Sequence, residues 1–214
     1  MQCISHISSL RKKKVSMGRI FYIIGKSASG KNYIYESLLA EKDLKLVQII
    51  LYTTRPMRSG EQNGRAYYFT DELKLAHLRL SGKLIEERVY DTVYGPWYYF
   101  TADEGQFRLN SQDYLGIGTL KSYEKIKEYF GEDKVCPLYI ETEDSIRLKR
   151  AIQREEKQPE PKYAERCRRY LADCEDFSEK KIQAAGIKYR FLNNGKLSQC
   201  LKEIKAYIWL QIAW

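Results

Sequence analysis

Short apolar runs alternate with segments of helical periodicity along most of the chain. The first run, residues 20–24, is rich in β-branched and aromatic residues and ends at a glycine, which predicts a buried strand. Because helical patterns separate most of these runs, the alternation predicts an α/β fold whose parallel sheet is covered on both faces. The predicted strands are 20–24, 47–52, 114–117, 135–140 and 189–192, and the predicted helices are 31–40, 123–130, 145–154, 163–185 and 197–212.

The alternation is interrupted between residues 55 and 100, where glycines and aromatic residues crowd together. Short strands are predicted at 67–70, 84–90 and 97–100, and one helix is predicted after Asp71. This pattern indicates an inserted α+β lobe. A second irregular stretch, 155–162, carries two prolines and many charges between two predicted helices, a composition typical of a mobile lid.

Composition places the chain among globular proteins of one domain. It has 214 residues, of which 43% are hydrophobic and 30% are charged. The net charge of +9 includes four positive side chains at 11–14, so it argues only weakly for nucleic acid, and core packing accounts for the 18 tyrosines. We expect Met17 to be the natural start and residues 1–16 to be an extension or a misassigned start; the alternative is that residues 1–16 form a disordered basic extension of the protein.

Cysteine and hydropathy patterns bear on the compartment. Five cysteines without a CxxC pair indicate reduced thiols and therefore a cytoplasmic protein, and two histidines argue against a zinc site. The chain lacks an apolar run long enough to span a bilayer, so no membrane partner is expected. The apolar residues near the C-terminus are interpreted as the buried face of the last helix.

A glycine-bounded loop between the first strand and the first helix matches GxxxxGK. Such a loop wraps a phosphate chain with backbone N–H groups, and the helix N-terminus adds positive potential. The lysine of the motif would reach the β- and γ-phosphates, whereas the alternative is a plain Gly/Ser turn with a solvated lysine. The predicted ATP-binding residues of this loop are Gly25, Lys26, Ser27, Ala28, Ser29, Gly30, Lys31 and Asn32.

Asn32 stands where a Ser or Thr usually binds Mg²⁺. Because an amide oxygen can still coordinate a hard cation, the sequence predicts an altered magnesium site at Asn32.

A second motif follows the second predicted strand. Arg55 and Arg58 lie three residues apart, and Tyr67 follows nine residues after Arg58. Arginine forks bind phosphate bidentately and a phenol adds a further donor, so this stretch is a candidate phosphate site. The alternative is a basic surface turn.

Residues 53–69 meet every fixed position of TTRxxRxGExxGxxYxF, and on this ground the chain from residue 19 onward resembles the guanylate kinases. The resemblance implies a P-loop NTPase fold: a parallel five-stranded sheet flanked by helices, with an inserted α+β acceptor-binding lobe and a helical lid. It places the core at 17–52 and 101–214, the lobe at 53–100 and the lid at about 150–168. The acceptor-binding residues that it implies are Arg55, Arg58, Tyr67, Glu86 and Tyr94.

The resemblance also implies catalytic residues on the donor side. Lys31 would act in phosphoryl transfer with Arg150 and Arg154, which lie four apart on one predicted helix, and with Arg168 or Arg169 beyond the lid. Asn193 would contact ATP. Solvated helix charges, and a plain turn residue at 193, are the competing interpretations.

Three positions depart from the family pattern where guanine would be read. Leu51 replaces a serine, Pro96 replaces Ser or Thr, and Leu115-Gly116-Ile117-Gly118 replaces an aspartate-rich strand end. Glu86 and Glu87 survive as candidate base readers. Losing hydrogen-bonding groups of this kind can broaden or switch specificity.

The expected reaction is phosphoryl transfer from ATP to GMP, giving GDP and ADP, with Mg²⁺ as the metal and small nucleotides as the ligands. A monomer or a homodimer is expected. A rival function is that of a ribose 1,5-bisphosphate phosphokinase, which has an acidic residue after the loop lysine and lacks the full acceptor motif. The sequence is also compatible with a catalytically weak binding module and, on charge and tyrosine content alone, with a nucleic-acid-binding protein.

Overall fold

The architecture consists of two sheets and seven helices within residues 17–65, 67–92 and 94–213, which are the residues that the computed structural model describes. The predicted extension at 1–16 lies outside them. The strands are β1 (Ile20–Ile24), β2 (Val47–Gln48), β3 (Tyr52–Thr53), β4 (Tyr68–Phe69), β5 (Leu84–Thr92), β6 (Gly95–Ala102), β7 (Tyr114–Ile117), β8 (Val135–Glu141) and β9 (Arg190–Leu192). The helices are α1 (Lys31–Ala40), α2 (Glu72–Leu80), α3 (Leu120–Phe130), α4 (Asp144–Glu155), α5 (Tyr163–Asp176), α6 (Glu179–Ala184) and α7 (Leu197–Ala213).

The main sheet is parallel and has five strands in the order β2-β7-β1-β8-β9. All five residues of β1 are buried, as expected for a central strand with helices on both faces. Ile23 packs with Ile34 of α1 and Ile204 of α7 on one face, while Ile24 packs with Ile126 of α3 on the other. The predicted sheet and its helical flanks are confirmed.

The second sheet has the order β4-β3-β6-β5, with β3 and β4 parallel and the other pairs antiparallel. Asp71 caps the N-terminus of helix α2, and its Oδ1 accepts a hydrogen bond from the Lys74 N–H at 2.8 Å. Leu75 and Leu78 of α2 pack with Phe100 on one face of this sheet.

The predicted strand 47–52 is wrong as one element, because its two ends belong to different sheets. The Ile49 N–H still donates to the Leu115 carbonyl of the main sheet at 3.0 Å, whereas Tyr52 pairs with Tyr68 and Phe100 in the second sheet. The run of mostly apolar residues hides this break, because hydrophobicity alone does not show which sheet each end joins.

The predicted helix 163–185 is also wrong as one element. Phe177 lies between α5 and α6, is buried, and stacks on Tyr139 of β8 with 5.9 Å between ring centroids. Its backbone leaves the helical conformation, and Ser178 begins α6. The chain therefore breaks the helix at Phe177, where the ring is buried against Tyr139, and does not continue as one helix from 163 to 185.

Within the described ranges, every helix is too short or too polar to cross a lipid bilayer.

Candidate active site

The loop from Gly25 to Gly30 joins β1 to α1, as the motif predicts. Gly25 has φ +156°, and a Cβ there would lie 2.6 Å from the Ile140 carbonyl oxygen. Gly30 has φ +91° directly before the first residue of α1. Both glycines are thus required by backbone conformation or space, and the loop presents the α1 N-terminus to the cavity described below.

The Lys31 ammonium lies inside this loop. Its Nζ donates to the Lys26 carbonyl at 3.4 Å. Burial lowers the pKa of Lys31; the Asp173 carboxylate opposes this effect, and the positive charges of Arg169, Arg147 and Arg154 lower the pKa further. A bound anion would offset both effects, so the site favours a polyphosphate.

A cavity of about 480 Å³ opens between the loop, α4 and α5. Two carboxylates, Glu36 and Asp173, also line it. The positive side chains that line it are Lys31, Arg147, Arg154, Arg166 and Arg169. This excess of positive charge suits a nucleoside triphosphate and its transferring phosphoryl group.

Arg168 does not line this cavity. Its side chain is 68% exposed, and its Nε donates to Glu165 at 2.7 Å. Arg169, which the sequence left as an alternative, lines the cavity instead, together with Arg166, which also pairs with Glu155. The structure therefore places Arg166 and Arg169, and not Arg168, at the cavity.

Arg147 was missed by sequence reasoning. It is 1% exposed, donates to the Ser27 carbonyl at 3.1 Å and to Asp144 at 2.8 Å, and lies 4.7 Å over the Tyr170 ring. Its spacing of seven from Arg154 puts both on one face of α4, which is the signal that could have found it.

A second cavity of about 430 Å³ adjoins the first and shares Ala28, Gly30, Tyr33 and Arg154 with it. Arg150 lines this second cavity, and its Nη2 donates to the Asn193 carbonyl at 3.1 Å. The structure thus separates the two predicted arginines: Arg154 faces both cavities and Arg150 only the second.

Asn193 is buried beside the loop, and its Nδ2 donates to the Ser29 carbonyl at 2.7 Å. It therefore holds the loop as well as lining the second cavity. The Oδ1 of Asn193 and the Oγ of Ser29 are buried without a partner among the described residues, so Asn193 Oδ1 can accept a hydrogen bond from a ligand and Ser29 Oγ can donate or accept one.

The Lys26 side chain turns away from the first cavity. Its Nζ lies 3.2 Å from Asp144 Oδ1, at the start of α4. Only its carbonyl, which accepts from Lys31, faces the loop interior.

Oxygen donors suited to Mg²⁺ surround the first cavity. Asn32 and Glu36 lie one turn apart on α1, and Asp173 lies opposite on α5. The described residues contain no group of three His, Cys, Asp or Glu that could hold a metal by themselves. Mg²⁺ usually binds through one or two protein oxygens, water and substrate phosphates, so these residues fit it.

Arg55 is held rigidly at the end of β3. Its guanidinium donates to Glu61 at 2.7 and 2.9 Å and lies 5.6 Å from the Tyr67 ring and 5.4 Å from the Phe69 ring. The pKa of Glu61 is lowered to about 2; the hydrogen bond from Arg55 is the largest cause, and the hydrogen bond from the Arg58 backbone N–H is the second. Arg55 Nε is buried without a partner among the described residues, so one donor remains for an anion.

Arg58 and Tyr94 are exposed at the same end of the molecule's second sheet. The Arg58 backbone donates to Glu61 at 2.7 Å, and its side chain is solvent-exposed. Tyr94 is 83% exposed and stacks on Trp97 at 6.2 Å. The Arg58 and Tyr94 side chains would therefore become buried only when a ligand binds or the surrounding segments close over it.

Glu86 is buried on β5 and is already partnered. Thr101 Oγ1 donates to its Oε1 at 2.8 Å, and Arg88 Nε lies 3.2 Å from its Oε2. Burial raises the pKa of Glu86, and the Arg88 charge opposes that rise. Arg88 was not found from the sequence, because a lone arginine in a strand gives no pattern.

The Tyr22 side chain fills the space beside the glycines at the end of β7, so these positions have no room for a larger residue. A Cβ on Gly116 would lie 2.5 Å from the Tyr22 ring, and a Cβ on Gly118 would collide with the Tyr22 hydroxyl. That hydroxyl donates to Ser122 Oγ at 3.1 Å. A buried phenol from β1 therefore occupies the space in which the family pattern would place carboxylate side chains.

The sequence is similar to known proteins of one family. The model of the family described as "Guanylate kinase" matches residues 17–209. Guanylate kinase of Bordetella pertussis is 39% identical over 79 residues, which are 36% of this chain and 36% of that protein. Guanylate kinase of Porphyromonas gingivalis is 29% identical over 126 residues, which are 58% of this chain and 65% of that protein. The aligned stretches thus span about one third to two thirds of these relatives.

The fold has a counterpart among solved structures. The crystal structure of guanylate kinase from Anaplasma phagocytophilum superposes with a TM-score of 0.61 at 18% identity, over 92% of this chain and 87% of that one. The family match covers both the phosphate loop and the second sheet, so the chain belongs to the guanylate kinase family.

Proposed function

We propose that the protein transfers the γ-phosphoryl group of ATP to the phosphate of GMP, giving ADP and GDP. The observation that carries the proposal is the cavity between the glycine loop, α4 and α5, into which one lysine and four arginines converge. Phosphoryl transfer needs positioning and charge neutralisation more than covalent catalysis, and this cavity supplies both.

The donor ATP would lie across the two adjoining cavities. The loop N–H groups and Lys31 would bind the β- and γ-phosphates, and the second cavity, with Asn193 and Arg150, would take the adenosine part. Asn32, Glu36 or Asp173 would hold Mg²⁺, which neutralises charge on the phosphates.

The acceptor phosphate would bind at Arg55, Arg58 and Tyr67. Arg55 is pre-oriented by Glu61, so little side-chain entropy is lost when it binds an anion. Arg154, Arg166 and Arg169 would then neutralise the transferring group as α4 and α5 approach the acceptor. The placement of the acceptor motif on a second sheet agrees with this two-sided arrangement.

The test measures ADP release from Mg·ATP with GMP, dGMP, IMP, AMP, UMP and ribose 1,5-bisphosphate in turn. Turnover that is fastest with GMP supports the proposal. Turnover only with the ribose bisphosphate would contradict it, as would ATP binding without turnover of any acceptor, the behaviour of a binding module. Lys31→Ala serves as the inactive control.

A further inference from the structure

The face of the second sheet opposite α2 carries a mixed row of polar side chains. Glu86 and Arg88 are two residues apart on β5, so both project to the same face. In the register with β6, Glu86 lies opposite Thr101 and Arg88 lies opposite Tyr99. This is the face that α2 leaves uncovered, because Phe100 and not Tyr99 packs with that helix.

The same face leads directly to the candidate phosphate site. Tyr99 contacts the Tyr67 ring edge-on at 5.6 Å, and the Arg55 guanidinium lies over that ring. Thr53 of β3 also lies opposite Tyr99, so the backbones of Thr53 and Arg88 are two strand spacings, about 10 Å, apart. One acceptor molecule can therefore contact Arg55 at one end and Arg88 at the other.

The charges at the two ends differ. Arg88 Nε lies 3.2 Å from Glu86 Oε2, so these two side chains form a pair with no net charge. A second phosphate would be repelled by Glu86, which disfavours a sugar bisphosphate at this end. A neutral ring that offers both hydrogen-bond donors and acceptors is the chemistry that suits the pair.

We propose that Arg88 determines acceptor specificity by donating to the 6-carbonyl oxygen of a purine ring whose N1–H donates to Glu86. This inference rests on the proposed function and deepens it. Arg88 keeps N–H capacity for a ligand because its Nη2 donates to Glu86 at 3.4 Å, whereas its Nε, 3.2 Å from Glu86 Oε2, makes no hydrogen bond among the described residues. Glu86 keeps free lone pairs on each oxygen beside those that Thr101 and Arg88 use.

The pair distinguishes ring types by the order of donor and acceptor. Guanine and hypoxanthine present an acceptor at position 6 and a donor at position 1, which match Arg88 and Glu86. Adenine presents the reverse, so both contacts become mismatched when the phosphate end is fixed by Arg55. The site therefore selects 6-oxopurines as a class and discriminates little between GMP and IMP.

The experiment compares kcat/KM for GMP, IMP and AMP in the wild type and in Arg88→Met. We expect the GMP/AMP and IMP/AMP ratios to fall together, by about ten- to a hundredfold, because both 6-oxopurines lose the same contact. The KM for ATP should not change, since ATP binds outside this face. A GMP/AMP ratio that stays at the wild-type value in a folded Arg88→Met protein would overturn the proposal.

Two further variants keep the result interpretable. Arg79→Met removes the partner of Glu87, whose pair with Arg79 lies on the α2 side of the same strand, and it should leave all ratios unchanged. Because Arg88→Met leaves a buried charge on Glu86, the double variant Glu86→Gln/Arg88→Met restores neutrality and should show the same loss of 6-oxopurine preference. Retained preference in that double variant would also refute the role.

Equilibrium binding separates this inference from the proposed reaction. If the wild type binds GMP and IMP more tightly than AMP but does not turn them over, and Arg88→Met loses that preference, the inference stands and the proposed reaction fails. If the wild type turns over GMP and AMP equally well, the proposed phosphoryl transfer stands and the role of Arg88 fails.

Discussion

The Asp173 carboxylate accepts a hydrogen bond from the backbone N–H of Ser27 at 2.8 Å, inside the phosphate-binding loop. Helix α5 therefore occupies, through Asp173, one of the N–H donors that a phosphate would use. The same carboxylate lies 3.5 Å from Arg147 Nη1, and its charge opposes the lowered pKa of Lys31. The loop is thus partly satisfied by an internal anion before ATP arrives.

Asp173→Asn should tighten ATP binding. The amide keeps the shape of the side chain but removes a negative charge next to the phosphates, a change worth about 1 kcal/mol, or roughly fivefold in Kd. Isothermal titration of metal-free ATP, without Mg²⁺ and without acceptor, measures the change, because under these conditions the substitution does not also remove a metal ligand. Weaker ATP binding in the variant would mean that Asp173 supports the loop geometry more than it competes with phosphate.

Lys31→Met should abolish turnover without unfolding the protein. We expect kcat to fall at least about a hundredfold, because the ammonium that neutralises the β- and γ-phosphates is lost. Thermal unfolding should be unchanged or slightly higher in temperature, since burial disfavours the charged amine, as the direction of its pKa shows. Lys74→Met, which removes an exposed lysine paired with Glu104, is the matched control. Near-wild-type turnover of Lys31→Met would contradict the assignment of the loop.

Arg58→Ala should act on the acceptor alone. Its side chain is exposed, so stability should not change, whereas loss of a charged hydrogen bond to phosphate should raise the KM for GMP roughly tenfold or more. The KM for ATP is the internal control. Arg55→Ala should lower both acceptor affinity and stability, because that guanidinium is buried among Glu61, Tyr67 and Phe69. An unchanged acceptor KM in Arg58→Ala would remove it from the site.

The Arg55–Glu61 pair predicts a specific acid dependence. The pKa of Glu61 is lowered to about 2 in the fold, so its stabilising effect is fully present above its ordinary value of 4.5 and is lost as pH falls toward 2. The difference in unfolding temperature between wild type and Glu61→Gln should be constant above about pH 5 and should narrow at lower pH. A difference that stays constant down to about pH 2.5 would show that the charge of Glu61 does not stabilise the fold.

Gly118→Asp should destabilise the protein while Tyr22 is present. The new side chain collides with Ser122 Oγ and with the Tyr22 hydroxyl, and overpacking of this kind costs about 1–3 kcal/mol. Urea unfolding measures the loss, and Tyr22→Ala/Gly118→Asp should be less destabilised than the sum of its two single variants. Gly195→Asp is the control, because a Cβ there meets no atom within 4 Å. Additive effects of the two substitutions would show that Tyr22 does not exclude the carboxylate.

The elements with strong local patterns were predictable from the sequence. The strand at Ile20–Ile24, the helix at Lys31–Ala40 and the glycine loop between them lie where apolar clustering and punctuation by glycine place them. The two wrong elements have a common cause, because the runs 47–52 and 163–185 each contain a break that only tertiary contacts of Ile49 and Phe177 reveal.

The site was only partly predictable for a similar reason. Motif spacing finds Lys31 and Arg154, because the position of each is set by the single helix that carries it, α1 for Lys31 and α4 for Arg154. It cannot rank neighbouring arginines such as Arg168 and Arg169, because helix rotation decides which of them faces the cavity. It also cannot find Arg88 or Asp173, whose surroundings come from distant segments.

The contact of Tyr22 with Gly116 and Gly118 also limits how this sequence can change. A carboxylate at position 118 is compatible with the fold only after the side chain at position 22 becomes smaller, whereas shrinking residue 22 first opens a cavity in a buried strand. We expect each single step to be harmful and the pair to be less harmful than the sum of the two steps, so the order of substitution is constrained. The two positions form an epistatic couple, and a mutational path toward acidic residues at this strand end must cross a less stable intermediate.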